Sequence, residues 1–185
     1  MIITSHPYPI KFIQRKQKWF KAPYISRYIF TFVSSRKKLR FVIEIDEFEH
    51  NFYAIKFYPK HLKKSVDRYN LITNNGDVIR ILLSCASSIP IILEKNKLAS
   101  FGFVGSRIKS KKNKSFSESF YQNKRYRIYS TLIQEVIGNK YFDHFEFNNL
   151  SAYLLLNKAN TNPKRLKKTI LNMIQYEFEF MDNLQ

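Results

Sequence analysis

Between Tyr28 and Tyr58 the sequence keeps a period of two through three successive runs, which restricts this segment to strands. Tyr28, Phe30 and Phe32 alternate with Ile29, Thr31 and Val33. Phe41, Ile43 and Ile45 alternate with Val42, Glu44 and Asp46, and Tyr53, Ile55 and Phe57 with Ala54, Lys56 and Tyr58. Successive side chains of a strand point to opposite faces, so each run offers one apolar face. The basic turn Ser34–Lys38 and the Glu49-His50-Asn51 turn join the runs into a three-stranded antiparallel meander.

Beyond Pro59 the period changes. Leu62, Val66 and Tyr69 stand at helical spacing in residues 60–70, and Asn75-Gly76 makes a turn. Asp77 is placed to cap an apolar helix, which Pro90 kinks or restarts near Ser88. A buried strand is expected over Leu98–Val104, then a basic loop over 106–116. Ser115 and Glu118 form a capping box for a helix running to about Ile137, where Gly138-Asn139 stops it. Short strands at 141–147 and 152–157 precede Asn162-Pro163, an N-cap followed by proline at the first helical position, and a helix to about Asp182. The order β-β-β-α-α-β-α-β-β-α predicts an α+β fold, an antiparallel sheet with helices packed on one face. Residues 1–23, punctuated by Pro7, Pro9 and Pro23, have no clean period and read as a basic arm before a single domain at 24–185.

Charge is distributed very unevenly along this frame. The first 40 residues hold ten Lys or Arg and no Asp or Glu, within a chain of net charge +18. Residues 106–131 add eight basic side chains against the single Glu118. An AT-rich coding bias explains the preference for Lys over Arg, but not 32 basic residues against 14 acidic ones. Such imbalance costs self-repulsion, which a polyanion relieves as its condensed counterions are released. The candidate contacts are Lys11, Arg15, Lys16, Lys18 and Lys21 in the arm, and Arg36, Lys37 and Lys38 in the first turn. Arg107, Lys109, Lys111, Lys112 and Lys114 follow in the loop, then Lys124, Arg125 and Arg127 in the helix after it. Lys164, Arg165, Lys167 and Lys168 open the last helix, where cations oppose the macrodipole. Arg125 and Tyr129 lie one turn apart, a pairing suited to phosphate contact with base stacking.

The expected function is therefore non-enzymatic nucleic-acid binding, DNA ahead of RNA, as an accessory to a larger nucleoprotein complex. A second copy of the chain is a further expected partner, since doubled patches raise avidity. An acidic protein partner is the alternative binding reading. No cofactor or metal is expected. His6, His50, His61 and His144 show no helical pair spacing, and Cys85 lies in an apolar run with no electropositive neighbour. The acidic patch Glu44, Asp46, Glu47 and Glu49 beside His50 is the one enzymatic alternative, a small Mg²⁺-dependent nuclease. The acid-x-Lys triplet of restriction-type nucleases is lacking, because the corresponding residues are Ala54-Ile55-Lys56. A single cysteine, the lack of a leader-like start and the lack of about 20 consecutive apolar residues predict a cytoplasmic protein without a membrane span.

The segment Asn70–Gly76, the strand Ser100–Gly105, and Arg125, Arg127 and Tyr129 together resemble small basic α+β proteins of Bacteroidota-type genomes. That resemblance covers about half the chain and carries over no site residues. By analogy it implies an accessory role in antiviral defence, for example beside an RNA-guided, CRISPR-type effector.

Overall fold

A computed structural model describes residues 5–18, 22–36, 38–65, 68–69, 77–106, 118–119 and 121–182, the last seven by backbone only. Among the described residues seven strands form one sheet: β1 (Lys11–Gln17), β2 (Ser26–Val33), β3 (Arg40–Glu47), β4 (Phe52–Pro59), β5 (Ser100–Val104), β6 (Phe142–Phe147) and β7 (Ala152–Asn157). Their order is β1-β2-β3-β4-β5-β7-β6, antiparallel throughout except between β4 and β5. A parallel pair needs a crossover, and α1 (Val78–Ala86) and α2 (Ser88–Lys95) lie within it. Helix α3 (Lys124–Ile137) precedes β6, and α4 (Pro163–Asp182) closes the chain. The class is α+β, as the alternation and its interruptions predict.

The sheet is covered on both sides. On the front face Tyr28, Phe30, Ile43, Ile45, Tyr53, Phe101 and Tyr153 pack with Ile81, Ile89, Ile92 and Tyr126 of α1, α2 and α3. On the rear face Phe52, Ala152, Leu154 and Leu156 pack with Ile170 and Ile174 of α4. The expectation of helices on one face therefore holds for α1–α3 and is corrected for α4. The reason is visible in β7, whose six residues are all buried: Tyr153 and Leu155 face front, and Ala152, Leu154 and Leu156 face rear. A strand apolar on both faces needs a cover on each.

Four local expectations also change. The arm is not an arm over its middle: Lys11–Gln17 extends the meander to four strands, with Ile13 a bulge between the paired residues Phe12 and Gln14. Residues 60–70 form only a 3-10 turn at Lys60–Leu62 among their described residues. Asp77 sits at the N-cap of α1 without capping it: its Oδ2 accepts hydrogen bonds from the Tyr8 and Ser34 hydroxyls, and its buried Oδ1 has no partner among the described residues. Helix α3 starts at Lys124 rather than near Ser115, capped by Asn123, whose Oδ1 accepts from the Tyr126 amide at 2.9 Å. Glu118 still reaches that end, accepting from the Lys124 amide at 2.7 Å. Ser115, like Asn75-Gly76, lies outside the described residues.

Gly105 lets β5 meet this cap. Its carbonyl accepts from Asn123 Nδ2, its amide donates to Ser151 O, and a Cβ there would stand 2.8 Å from the Tyr126 nitrogen. Neither the backbone nor the cap has room to retreat. Gly105→Ala is expected to cost roughly 1–3 kcal/mol, read as a lower urea midpoint with an unchanged slope; a midpoint equal to wild type would show that the cap yields.

Candidate nucleic-acid interface

The register divides the basic residues between two ends of the sheet. Gln17 pairs with Ser26, Ser26 with Glu47, Phe52 with Ser100 and Phe142 with Asn157, so all of these mark one end, here the lower. Lys16 and Lys18 stand at that end, exposed, beside Lys95 at the end of α2, Lys97 just after it and Lys158 after β7. Asn160 Nδ2 donates to Leu98 O at 2.8 Å, which fixes the approach to α4, so exposed Lys164 and Arg165 open that helix at the same end. Lys168 is exposed one turn further on. At the upper end are Lys11 near the start of β1, Arg36 and Lys38 in the β2–β3 turn, and Lys124 and Arg127 in the first turn of α3. The described candidates are thus not one patch. Lys21, Lys37, Arg107, Lys109, Lys111, Lys112 and Lys114 lie outside the described residues.

The remaining residues singled out in the sequence have partners within the chain, Arg15 with Glu47 and three others elsewhere. Arg125 turns inward on α3 and donates to Tyr69 O and Ser106 Oγ, and burial pulls its pKa below the ordinary arginine range. It braces the loop after β4 against the end of β5. Tyr129, one turn on, is half-buried and packs between Phe57 and Phe103, so the stacking pair expected from the sequence is engaged within the fold. Lys167 holds its ammonium 3.9 Å from the Phe145 ring, a cation–π contact on the rear face.

The acidic patch is dispersed by strand alternation. Glu44 and Asp46 face rear, Glu47 faces front, and Glu49 is exposed in the following turn. Asp46, wholly buried, takes Arg27 in a bidentate pair and Lys56 Nζ at 3.0 Å. Glu44 accepts from the Tyr58 hydroxyl at 2.9 Å and Tyr69 at 2.6 Å, with Arg27 at 3.2 Å. Although burial acts to lower it, the carboxylates of Asp46 and Glu44 hold the Arg27 pKa above the usual arginine range. Among the described residues no three His, Cys, Asp or Glu side chains converge where they could hold a metal ion. Cys85 is buried in α1, and burial raises its pKa.

Glu47 belongs instead to a polar cleft at the lower end of the front face, about 450 Å³ in volume. Its Oε2 accepts from Ser26 and from Arg15 Nη2 at 2.8 Å, and its Oε1 from the Tyr53 hydroxyl at 3.1 Å. Burial raises the Glu47 pKa, but these hydrogen bonds outweigh it and leave the carboxyl below the ordinary range. Burial, reinforced by the Glu47 charge, pushes Tyr53 up to about 12, so it remains a donor at neutral pH. Asn96 Nδ2 donates to the same tyrosine oxygen at 3.2 Å, tying α2 to the cleft. Lys95 and Phe12 complete the wall and Tyr28 the floor, with the Arg15 guanidinium 5.0 Å from the Tyr28 ring centre. Of these residues the sequence pattern singles out Arg15 for its charge and places Glu47 only in the acidic patch.

No family model, curated protein or solved structure matches the chain. No helix among the described residues is long and apolar enough to cross a membrane.

The buried charges set two expectations. Arg27→Met leaves Asp46 and Glu44 short of their main counter-charge inside the protein and is expected to cost about 3–5 kcal/mol in urea unfolding. A loss under about 1 kcal/mol would mean Lys56 and Arg68 suffice, as at an exposed pair. The second concerns pH. Because the folded Glu47 pKa is depressed, its contribution is complete above the ordinary glutamate value of 4.5 and is lost as pH falls through the folded value. Glu47→Gln should therefore lose stability near neutral pH but little in strong acid, compared by urea midpoints; an equal loss at both would assign the effect to shape rather than charge.

Proposed function

We propose that this protein binds nucleic acid, DNA ahead of RNA, through phosphate contacts, and serves as an accessory to a larger nucleoprotein complex rather than as an enzyme. One observation carries the reading: four of the chain's acids are drawn into internal bonds and leave the surface cations in excess. Glu44, Asp46 and Asp77 are buried, and Glu47 is held by three donors. These carboxylates are thereby withheld from exposed Lys16, Lys18, Lys164, Arg165 and Lys168, and counterion release from a polyphosphate supplies the favourable term. Contacts of this kind position a duplex without reading its sequence. The sequence of the 106–116 loop, with five cations and no acid, adds to the same term. A pair of basic ends also suits a protein that lengthens the residence of a larger machine on DNA, because each end adds effective concentration for the other.

Replacing Lys16, Lys18, Lys164, Arg165 and Lys168 together with Gln should weaken binding to every duplex sequence alike. It should also reduce the slope of log K against log salt by about 0.9 for each phosphate no longer neutralised. Fluorescence anisotropy on two unrelated duplexes of about 20 base pairs, between about 0.05 and 0.2 M salt, reads both, because such affinities fall steeply over that range. Unchanged affinity and slope would remove the lower end from the interface.

A further inference from the structure

The bulge at Ile13 decides which side chains of β1 face the cleft. Phe12 pairs with Phe30, Gln14 with Ile29 and Arg15 with Tyr28. In a regular strand Phe12 and Arg15, three positions apart, would point to opposite faces. The extra residue reverses the alternation once, so both stand on the front face with Phe30 and Tyr28. Phe12 rests on the buried Phe30 ring, with centroids 5.3 Å apart, yet is 47% exposed. Arg15 keeps 43% of its side chain exposed, with two of its N–H donors committed to Ser26 and Glu47.

The cleft therefore combines three features in one place. Phe12 is an anchored, open aromatic ring. Buried Tyr53, and Asn96, whose amide is engaged by Asn51, Tyr53 and the Leu98 amide, form a fixed polar back wall. Arg15 and Lys95 face the single acid Glu47, a balance of one positive charge, which matches one phosphodiester. Lys95 lies in the last turn of α2, where the helix dipole favours a cation. The volume is within the range of small-ligand sites, roughly 300–1,000 Å³.

We infer that this cleft binds one unpaired nucleotide of a DNA strand, its base stacked on Phe12 and its phosphate held by Arg15 and Lys95. The inference rests on the nucleic-acid reading above and deepens it: the basic ends hold any backbone, whereas the cleft holds a base that a duplex keeps inside its stack. Stacking tolerates any base, because every base has a π-face, so the site selects unpaired strands rather than sequences.

Three probes separate the cleft from the backbone contacts: oligo(dT) of about 12 nucleotides, a wholly abasic strand of equal length, and a duplex of the same length, a span typical of one single-strand site. Anisotropy with Phe12→Ala is expected to show roughly 5- to 100-fold weaker binding to oligo(dT). Affinity for the abasic strand and the duplex should stay within about twofold of wild type, since their phosphate contacts are untouched. Phe12→Trp, which keeps an aromatic ring, should restore oligo(dT) binding and so separates stacking from any effect on the fold. Equal oligo(dT) binding by wild type and Phe12→Ala, with duplex binding intact, would overturn the cleft and leave the backbone reading standing. Binding of none of the three probes by wild type would overturn both.

Discussion

Two carboxylates placed on the rear face of β3, Glu44 and Asp46, impose a requirement that much of the fold is arranged to meet. Buried charges need partners with good geometry and further hydrogen bonds, or their desolvation outweighs the attraction. Here β2 supplies Arg27, β4 supplies Lys56 and Tyr58, and the loop after β4 brings Arg68 and Tyr69 across the strands. Tyr69 then ties that loop through its carbonyl to Ser106 and Arg125, at the junction of β5 and α3. A polar layer thus covers the meander's rear face, and it couples the four-stranded half of the sheet to the other half.

This explains which parts of the fold are legible in sequence. The strict alternation of β2, β3 and β4, the helix break before Pro90 and the start of α4 at Pro163 are local signals that the surroundings do not override. The edge strand β1 is not legible, because its bulge breaks the period of two and every residue of it is exposed. Neither symptom looks like a strand. The start of α3 departs from the sequence pattern for a different reason. Ser115 with Glu118 fits a capping box, but Asn123 has Gly105 and Ser151 beside it in space, and local pattern does not contain that information.

The candidate site is legible only in its charge. Clustered Lys and Arg show in composition, yet Arg125 and Lys167 are drawn into the structure by a carbonyl and by aromatic rings far away in sequence. The cleft residues come from β1, β2, β3, β4 and the end of α2, so no motif of fixed spacing exists to be found. The exposed lysines of β1 also have a second physical role. Charged side chains along an unpaired strand edge discourage edge-to-edge association of copies. Both roles ask for the same residues on the same strand, so charge density alone does not separate them, whereas the response to salt in the presence of DNA does.

The extra residue in β1 has a consequence for how such a protein diverges. Loss of its one codon would leave Phe12 opposite Phe30 and Gln14 opposite Ile29, so the aromatic ring would keep its side of the sheet while the strand lost its local bend. A one-residue length difference here between related chains would therefore reshape the mouth of the cleft without moving its ring or touching the hydrophobic interior.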